Sequence, residues 1–348
     1  MRGRPSLWAS AFHLFVGNLI IGCVEAAILI RWFRAAKPRA YRLMIVANYV
    51  SMIAGVAATS WGKGRLSDAS VLSIVNLRAV LIGLGLGAYL LSVCLELPFV
   101  AFAVAREHRS FARCLCGSLL ANAASYAGLV ILYWQISGTS LITSAHIEAP
   151  SHFCASPTAE IYYIGINDGA IYRVKASGGI PEKFLELGAK DRSARLFAKQ
   201  ADDEGMLDLW IAGFPKREST TVAQRAFARI REVAVRDAQN AAGEERDGWM
   251  DFGWARTFDP ASSWKIWTGF WPLEGLRASD EITGQRYGLA LETPQLAWPS
   301  RSATLLPEAQ VIYQLGQQIV LLDLPTKRMG LIALGRGPLI VRRQKPGK

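Results

Sequence analysis

Four long apolar runs occupy residues 8–30, 43–60, 79–105 and 114–136, and no run of that length follows them. A helix rises ~1.5 Å per residue, so each run is close to or above the ~20 residues that cross a ~30 Å hydrocarbon core. Trp8, Trp32, Trp61 and Trp134 fall at the run ends, where an aromatic belt sits. The pattern predicts a four-span transmembrane domain over 1–137, with Pro98 a kink point in the third span. The first run is too long, and is followed by too many further spans, to be a cleaved signal peptide.

Two short words recur inside these runs. Cys23-Val24-Glu25 in the first and Ala47-Asn48-Tyr49-Val50-Ser51 in the second return as Cys94-Leu95-Glu96 in the third and Ala121-Asn122-Ala123-Ala124-Ser125 in the fourth. The domain therefore reads as two tandem hairpins of one ancestry. Depth supports the pairing within each hairpin. Glu25 lies roughly 9 Å along its helix from Arg31, and Asn48 roughly 9 Å from Arg42; in the second copy Glu96 and Asn122 lie roughly 15 and 14 Å from Arg106 and Arg113. Helical spacing sets Asn18, Gly22 and Glu25 on one face, as it does Gly85, Ser92 and Glu96, then Asn48, Ser51 and Gly55, then Ser118, Asn122 and Ser125. A carboxyl group at that depth costs on the order of 2–3 kcal/mol without a partner, and an asparagine amide is the available donor. The sequence thus predicts the contacts Glu25–Asn48 and Glu96–Asn122 within an intramembrane polar layer of Glu25, Asn48, Ser51, Glu96, Asn122 and Ser125.

Residues 138–157, rich in Ser, Thr and Pro, read as a linker. From 158 to 348 the period shortens to two, and the chain reads as an all-β domain, propeller-like or sandwich. Strands are predicted at 160–165, 170–176, 182–187 and 207–214, then at 310–315, 318–324, 328–334 and 339–343, with Asn167-Asp168-Gly169 a tight-turn signal between the first two. The segments 161–188 and 311–335 resemble one another as strand-turn-strand-turn-strand units closed by glycine, as propeller blades do. Apolar spacing at Val222, Ala226, Phe227, Ile230, Val233 and Ala234 predicts an amphipathic helix over 222–238. The densest aromatic stretch follows, with Trp249, Phe252, Trp254, Phe258, Trp264, Trp267, Phe270 and Trp271. It reads first as core between sheets, with Ser263-Trp264-Lys265-Ile266-Trp267 a half-buried strand. An interface made of Trp249, Trp254, Trp264, Trp267 and Trp271, or a sugar-stacking platform, is the alternative.

Charge changes the picture in one respect. The net charge of +11 is uneven: residues 1–150 hold 13 Lys/Arg against 5 Asp/Glu, while residues 151–348 hold 26 against 23. The surplus sits in loops between apolar runs, where it sets topology, and no basic track interleaved with aromatics argues for nucleic acid. The first and third loops carry eight Lys/Arg, the N-terminal tail and second loop five, and no Lys or Arg occurs between Arg113 and Arg173. The positive-inside bias then puts both termini and the β domain outside the cytoplasm of a bacterial inner or plasma membrane.

Candidate chemistry is sparse. The five cysteines offer no disulfide framework in the β domain, and Cys114-x-Cys116 without further ligands is no zinc site. His146, Glu148, His152 and Cys154 match no metal-ligand spacing, and beyond His152 there is no histidine for a Ser-His-Asp or Cys-His system. Asp202, Asp203 and Glu204 are contiguous, as in a solvated turn, and no glycine-rich phosphate loop precedes a helix. No catalytic residue, metal or cofactor is expected. The expectation is a membrane protein, in contact with lipid, whose external β domain binds a protein partner or a second copy as an assembly or sensor module. The competing expectation is a small ion- or proton-coupled transporter that uses Glu25 and Glu96; a polysaccharide binder is a third.

Overall fold

The computed structural model describes residues 16–66, 71–136, 145–188, 194–201, 206–212, 219–228, 233, 255–268, 275–291 and 298–342. The chain divides into two compact units, one helical and one mostly β, and the segment 68–76 between two helices belongs to the β unit.

The helical unit contains α1 (Asn18–Phe33), α2 (Lys37–Leu66), α3 (Leu77–Ala103) and α4 (Phe111–Ile136). Three of them, over Lys37–Gly62, Leu77–Ala103 and Phe111–Leu132, are long and apolar enough to cross a membrane. The described part of α1 has 16 residues, and residues 1–15 before it lie outside the described set. Helix α3 continues through Pro98. Each helix packs on two others, α1 on α2 and α4, α3 on α2 and α4, so the four close into a ring. Small residues set the approach. A Cβ on Gly22 would lie 2.8 Å from the Ile45 Cα, so only glycine lets α1 and α2 come this close. The apolar seam runs through Ala26, Leu29, Met44, Ala47 and Val100, all fully buried. Gly85 departs from the inward face expected of it: it is exposed, and nothing lies within 4 Å of its would-be Cβ.

In the β unit the first strands are β1 (His146–Ile147), β2 (Ala159–Gly165), β3 (Ile171–Lys175) and β4 (Glu182–Leu185), followed by β5 (Arg195–Gln200), β6 (Met206–Ala212) and β7 (Ser219–Ala228). Next come β8 (Arg256–Thr257), β9 (Trp264–Thr268), β10 (Leu276–Asp280) and β11 (Arg286–Leu289), and last β12 (Ser300–Leu306), β13 (Gln310–Leu315), β14 (Gln318–Asp323) and β15 (Arg328–Arg342). A nine-stranded sheet, curled as a half-barrel, runs β4-β3-β2-β15-β14-β13-β12-β8 with β1 added beside β15. Strands β5-β6-β7 and β9-β10-β11 form two separate three-stranded sheets. A ring of four-stranded blades is not what the described strands build. The two strand-turn-strand-turn-strand units lie side by side in one sheet, joined where β15 pairs antiparallel with β2.

That junction explains why two expected strands are one. Residues 328–334 of β15 pair with β14 and residues 335–342 with β2, with a register shift between Arg336 and Leu339. Gly337 turns the chain there with φ 58°, and a Cβ on it would lie 2.3 Å from the Arg195 Cα. The partner changes without the strand ending. Both faces of β2 are covered, which is why Ile161-Tyr162-Tyr163-Ile164 reads as an unbroken apolar run. Ile161 and Tyr163 face a core with Ile312, Leu321 and Ile340, while Tyr162 and Ile164 face Leu196, Leu207 and Phe227 of the β5-β6-β7 sheet. Burying each such aliphatic side chain contributes about 1.5–3 kcal/mol.

The helix expected over 222–238 is instead β7, which pairs with β6 through register shifts. Val222, Ala223, Ala226 and Phe227 pack on the same core, so shifts in register imitate a helical spacing of apolar residues along a strand. Residues 229–232 and 234–238 lie outside the described set. The stretch read as linker carries β1, which lies parallel beside the start of β15 (His146 N donates to Lys327 O and Glu148 N to Met329 O, both 2.9 Å), and Phe153 enters the core. Gln310 clamps it, its Nε2 donating to Phe153 O at 2.5 Å and its Oε1 accepting from Ala155 N at 2.9 Å. Leu72 and Ile74, on the segment between α2 and α3, are buried within this unit, and Ile74 N donates to Gln318 Oε1 at 2.8 Å.

Candidate functional site

The polar layer of the helical unit gathers all six residues singled out by the repeated words. Glu25 comes from the middle of α1, Asn48 and Ser51 from α2, Glu96 from α3, and Asn122 and Ser125 from α4. Glu25 and Glu96 are each 1% exposed, and both asparagines and Ser125 are buried. Within each hairpin the asparagine donates to the glutamate: Asn48 Nδ2 to Glu25 Oε2 at 2.5 Å, and Asn122 Nδ2 to Glu96 Oε2 at 2.9 Å. Between hairpins the serines cross over. Ser125 Oγ donates to Glu25 Oε1 at 2.7 Å and Ser51 Oγ to Glu96 Oε1 at 2.9 Å. Every carboxylate oxygen of the two glutamates therefore has a donor, and the two halves of the layer are related by exchange of the hairpins.

The same symmetry extends to the backbone. Each asparagine amide also donates to the carbonyl four residues earlier, Asn48 to Met44 O and Asn122 to Ser118 O, both at 3.1 Å. That second bond turns the amide so that its other hydrogen points across the interface at the glutamate. Ser51 Oγ lies 3.1 Å from Asn48 O as well, and Ser118 Oγ donates to Val93 O at 3.3 Å. A carboxyl group buried away from water is tolerated when donors replace its hydration, and each glutamate has two such donors here.

Sequence reasoning placed both serines in the layer but paired the glutamates with asparagines alone. It also missed an adjoining cluster on α3 and α4. Ser92 Oγ and Tyr126 Oη lie 3.2 Å apart, Tyr89 Oη donates to Leu119 O at 3.0 Å, and the rings of Tyr89 and Tyr126 meet edge to face at 5.5 Å. The available signal is a tyrosine inside the apolar run, one residue after Ser125.

The aromatic stretch does not form one surface among the described residues. Trp264 and Trp267 lie on β9, Trp264 buried against Tyr287 at 5.6 Å between ring centres and Trp267 half-buried. Phe258 packs on the core inside the curled sheet. Trp249, Trp254 and Trp271, with Phe252 and Phe270, lie outside the described residues. Among the described residues no three His, Cys, Asp or Glu side chains converge as ligands for a metal ion. Burial displaces several ionisable groups of the β unit: it pushes the Tyr163 hydroxyl up to about 12, raises the Cys154 thiol and the Tyr287 and Tyr313 hydroxyls, and lowers the Arg301 guanidinium.

No protein-family model matches this chain, and no curated protein matches its sequence.

Proposed function

We propose that the chain is an integral membrane protein of four spans, α1 with α2 and α3 with α4 forming two tandem hairpins. Its β unit lies outside the cytoplasm and serves as an assembly or sensor module for a protein partner or a second copy of the chain. Neither unit is proposed to carry out catalysis. The observation that carries this reading is the completeness of the polar layer: all four glutamate oxygens accept from side chains of neighbouring helices. Interhelical hydrogen bonds of this kind fasten helices where lipid offers no hydrophobic drive between them. The crossed serines tie hairpin to hairpin, the asparagines tie helix to helix within each, and the layer thereby specifies one ring order.

Chain parity supports a common side for the segment 68–76 and the β strands. The segment 68–76 and the β strands fall in one unit, as they must if α3 and α4 cross the bilayer out and back. The basic connections α1–α2 and α3–α4 then share the opposite side, which the positive-inside bias makes cytoplasmic.

The test is the pair Glu25→Gln and Glu96→Gln. A glutamine can accept from the asparagine through Oε1 and donate through Nε2 to the serine, whose hydroxyl turns to accept. The fastening role predicts that the double variant assembles as the parent does and captures the same envelope protein, or the same second copy, by chemical crosslinking. A transporter that moves charge through Glu25 and Glu96 is the second reading, favoured by the near-complete burial of two carboxyl groups in one bundle. It predicts an assembled double variant that no longer dissipates a pH gradient in proteoliposomes that the parent dissipates.

A further inference from the structure

The end of the helical unit that carries the α1–α2 and α3–α4 connections concentrates positive charge. Arg31, Arg34, Lys37, Arg39, Arg42, Arg106 and Arg109 are exposed there and Arg113 is half-buried, while Glu107 is the one acidic side chain of the two connections. The connections form one surface. Ala35 and Val104 pair as an antiparallel bridge, and Ala36 N donates to Ala103 O at 3.3 Å. Arg34, with left-handed φ 58°, turns the chain into that bridge, and its Nη1 lies 3.4 Å from His108 Nε2 of the other connection.

Among the described residues nothing neutralises this face. Among the described residues none of the eight cations forms an ion pair, although ion pairs are formed elsewhere, as by Arg173 with Glu182 and Lys183 with Asp168. Two heads are held in place by carbonyls, Arg42 Nε on Pro38 O at 3.2 Å and Arg109 Nη2 on Val104 O at 3.4 Å. Exposed aromatic rings stand beside the cations at the helix ends: Trp32 at 56%, Phe102 at 54% with Arg109 over its ring at 5.7 Å, and Phe111 at 73%. Cations at headgroup depth with aromatic rings next to them match the two parts of an acidic lipid, its phosphate and its glycerol backbone.

We propose that this fused basic face is a seat for anionic phospholipid headgroups, so that the protein gathers acidic lipids around its cytoplasmic end. The proposal rests on the membrane reading given above. The two loops would then do more than set orientation: stitched by the Ala35–Val104 bridge, they present their cations to the same small group of lipids.

The test uses the full chain in nanodiscs of phosphatidylcholine doped with phosphatidylglycerol, with the lipids that stay bound counted by native mass spectrometry. Phosphatidylglycerol should be enriched over its share of the disc. Replacing Lys37, Arg39 and Arg106 by Gln, cations that make no side-chain hydrogen bond or ion pair among the described residues, should cut that enrichment roughly fivefold per charge removed. Arg173→Gln in β3 should leave it unchanged. If the triple variant fails to fold, raising the ionic strength on the parent protein must weaken phosphatidylglycerol binding while phosphatidylcholine binding holds. An unenriched parent, enrichment indifferent to both loop charge and salt, or displacement by inorganic phosphate beyond that caused by sodium chloride at the same ionic strength, which would mark an ion site, overturns the proposal. Extraction of the chain from membranes by alkaline carbonate would defeat the membrane reading itself, whereas an inextractable chain without enrichment defeats the lipid seat alone.

Discussion

The crossed serines give the most specific prediction, because only one ring order of the helices pairs Glu25 with Ser125 and Glu96 with Ser51. Take the double-mutant cycle of Glu25→Ala with Ser125→Ala. The 2.7 Å bond joins a buried carboxyl group to a buried hydroxyl, a kind worth ~1.5–3 kcal/mol in water-soluble proteins. Within membrane bundles such bonds average ~0.6 and reach ~1.7 kcal/mol, since the separated helices find other partners. Ser125 without Glu25 can return its proton to the carbonyl one turn back, and Asn48 keeps its bond to Met44 O, which lowers the loss further. A coupling of about 1 kcal/mol follows, roughly a fivefold effect on the unfolding equilibrium. Glu96→Ala with Ser51→Ala should couple by the same amount across 2.9 Å. The uncrossed pairs, Glu25 with Ser51 and Glu96 with Ser125, should couple by less than about 0.3 kcal/mol. Reversible unfolding by SDS titration in mixed micelles reads all four cycles. Uncrossed couplings as large as the crossed ones would refute the exchange of serines between hairpins.

Other outcomes follow from single contacts. Gly22→Ala puts a Cβ 2.8 Å from the Ile45 Cα and should destabilise the bundle by ~1–3 kcal/mol through overpacking, read by the same titration. Gln318→Leu removes the acceptor of Ile74 N, a buried donor, at a cost of ~1–3 kcal/mol; amide hydrogen exchange should rise over residues 71–76 before it rises in β14. Gly337→Ala forces a side chain onto a residue with φ 58° and onto the Arg195 backbone, and should lower the thermal midpoint of the β unit while leaving the helical unit folded. Burial raises the Cys154 thiol above its ordinary value, so less thiolate is present at neutral pH; maleimide should modify it more slowly than a free cysteine peptide, and the deficit should shrink as pH rises.

Much of the architecture is legible because it depends on short-range pattern. Apolar runs announce the long helices, and Asn167-Asp168-Gly169 announces the β2–β3 turn, where Gly169 has φ 68° and Asp168 Oδ1 accepts from Ala170 N at 3.1 Å. The glutamate–asparagine contacts are legible from depth alone, since both partners sit in one hairpin and count from the same loop. The crossed serines are not legible that way, because they depend on which helices close the ring. Strand β7 was hidden by its register shifts, and β5 by burial on both sides, with Leu196, Phe197 and Ala198 all inside. The merger of two strands into β15 follows from a partner change at Gly337, which glycine and proline punctuation disguises as a loop.

Sidedness tests the proposed membrane arrangement most directly. In a chain with its five native cysteines replaced, Ser177→Cys in the turn after β3 and Lys37→Cys at the start of α2 would each be treated with a membrane-impermeant maleimide in intact cells. Labelling at position 177, with position 37 labelled only after the cells are opened, is the predicted result. Labelling at position 37 in intact cells, with position 177 protected, would place the β unit in the cytoplasm and contradict the account.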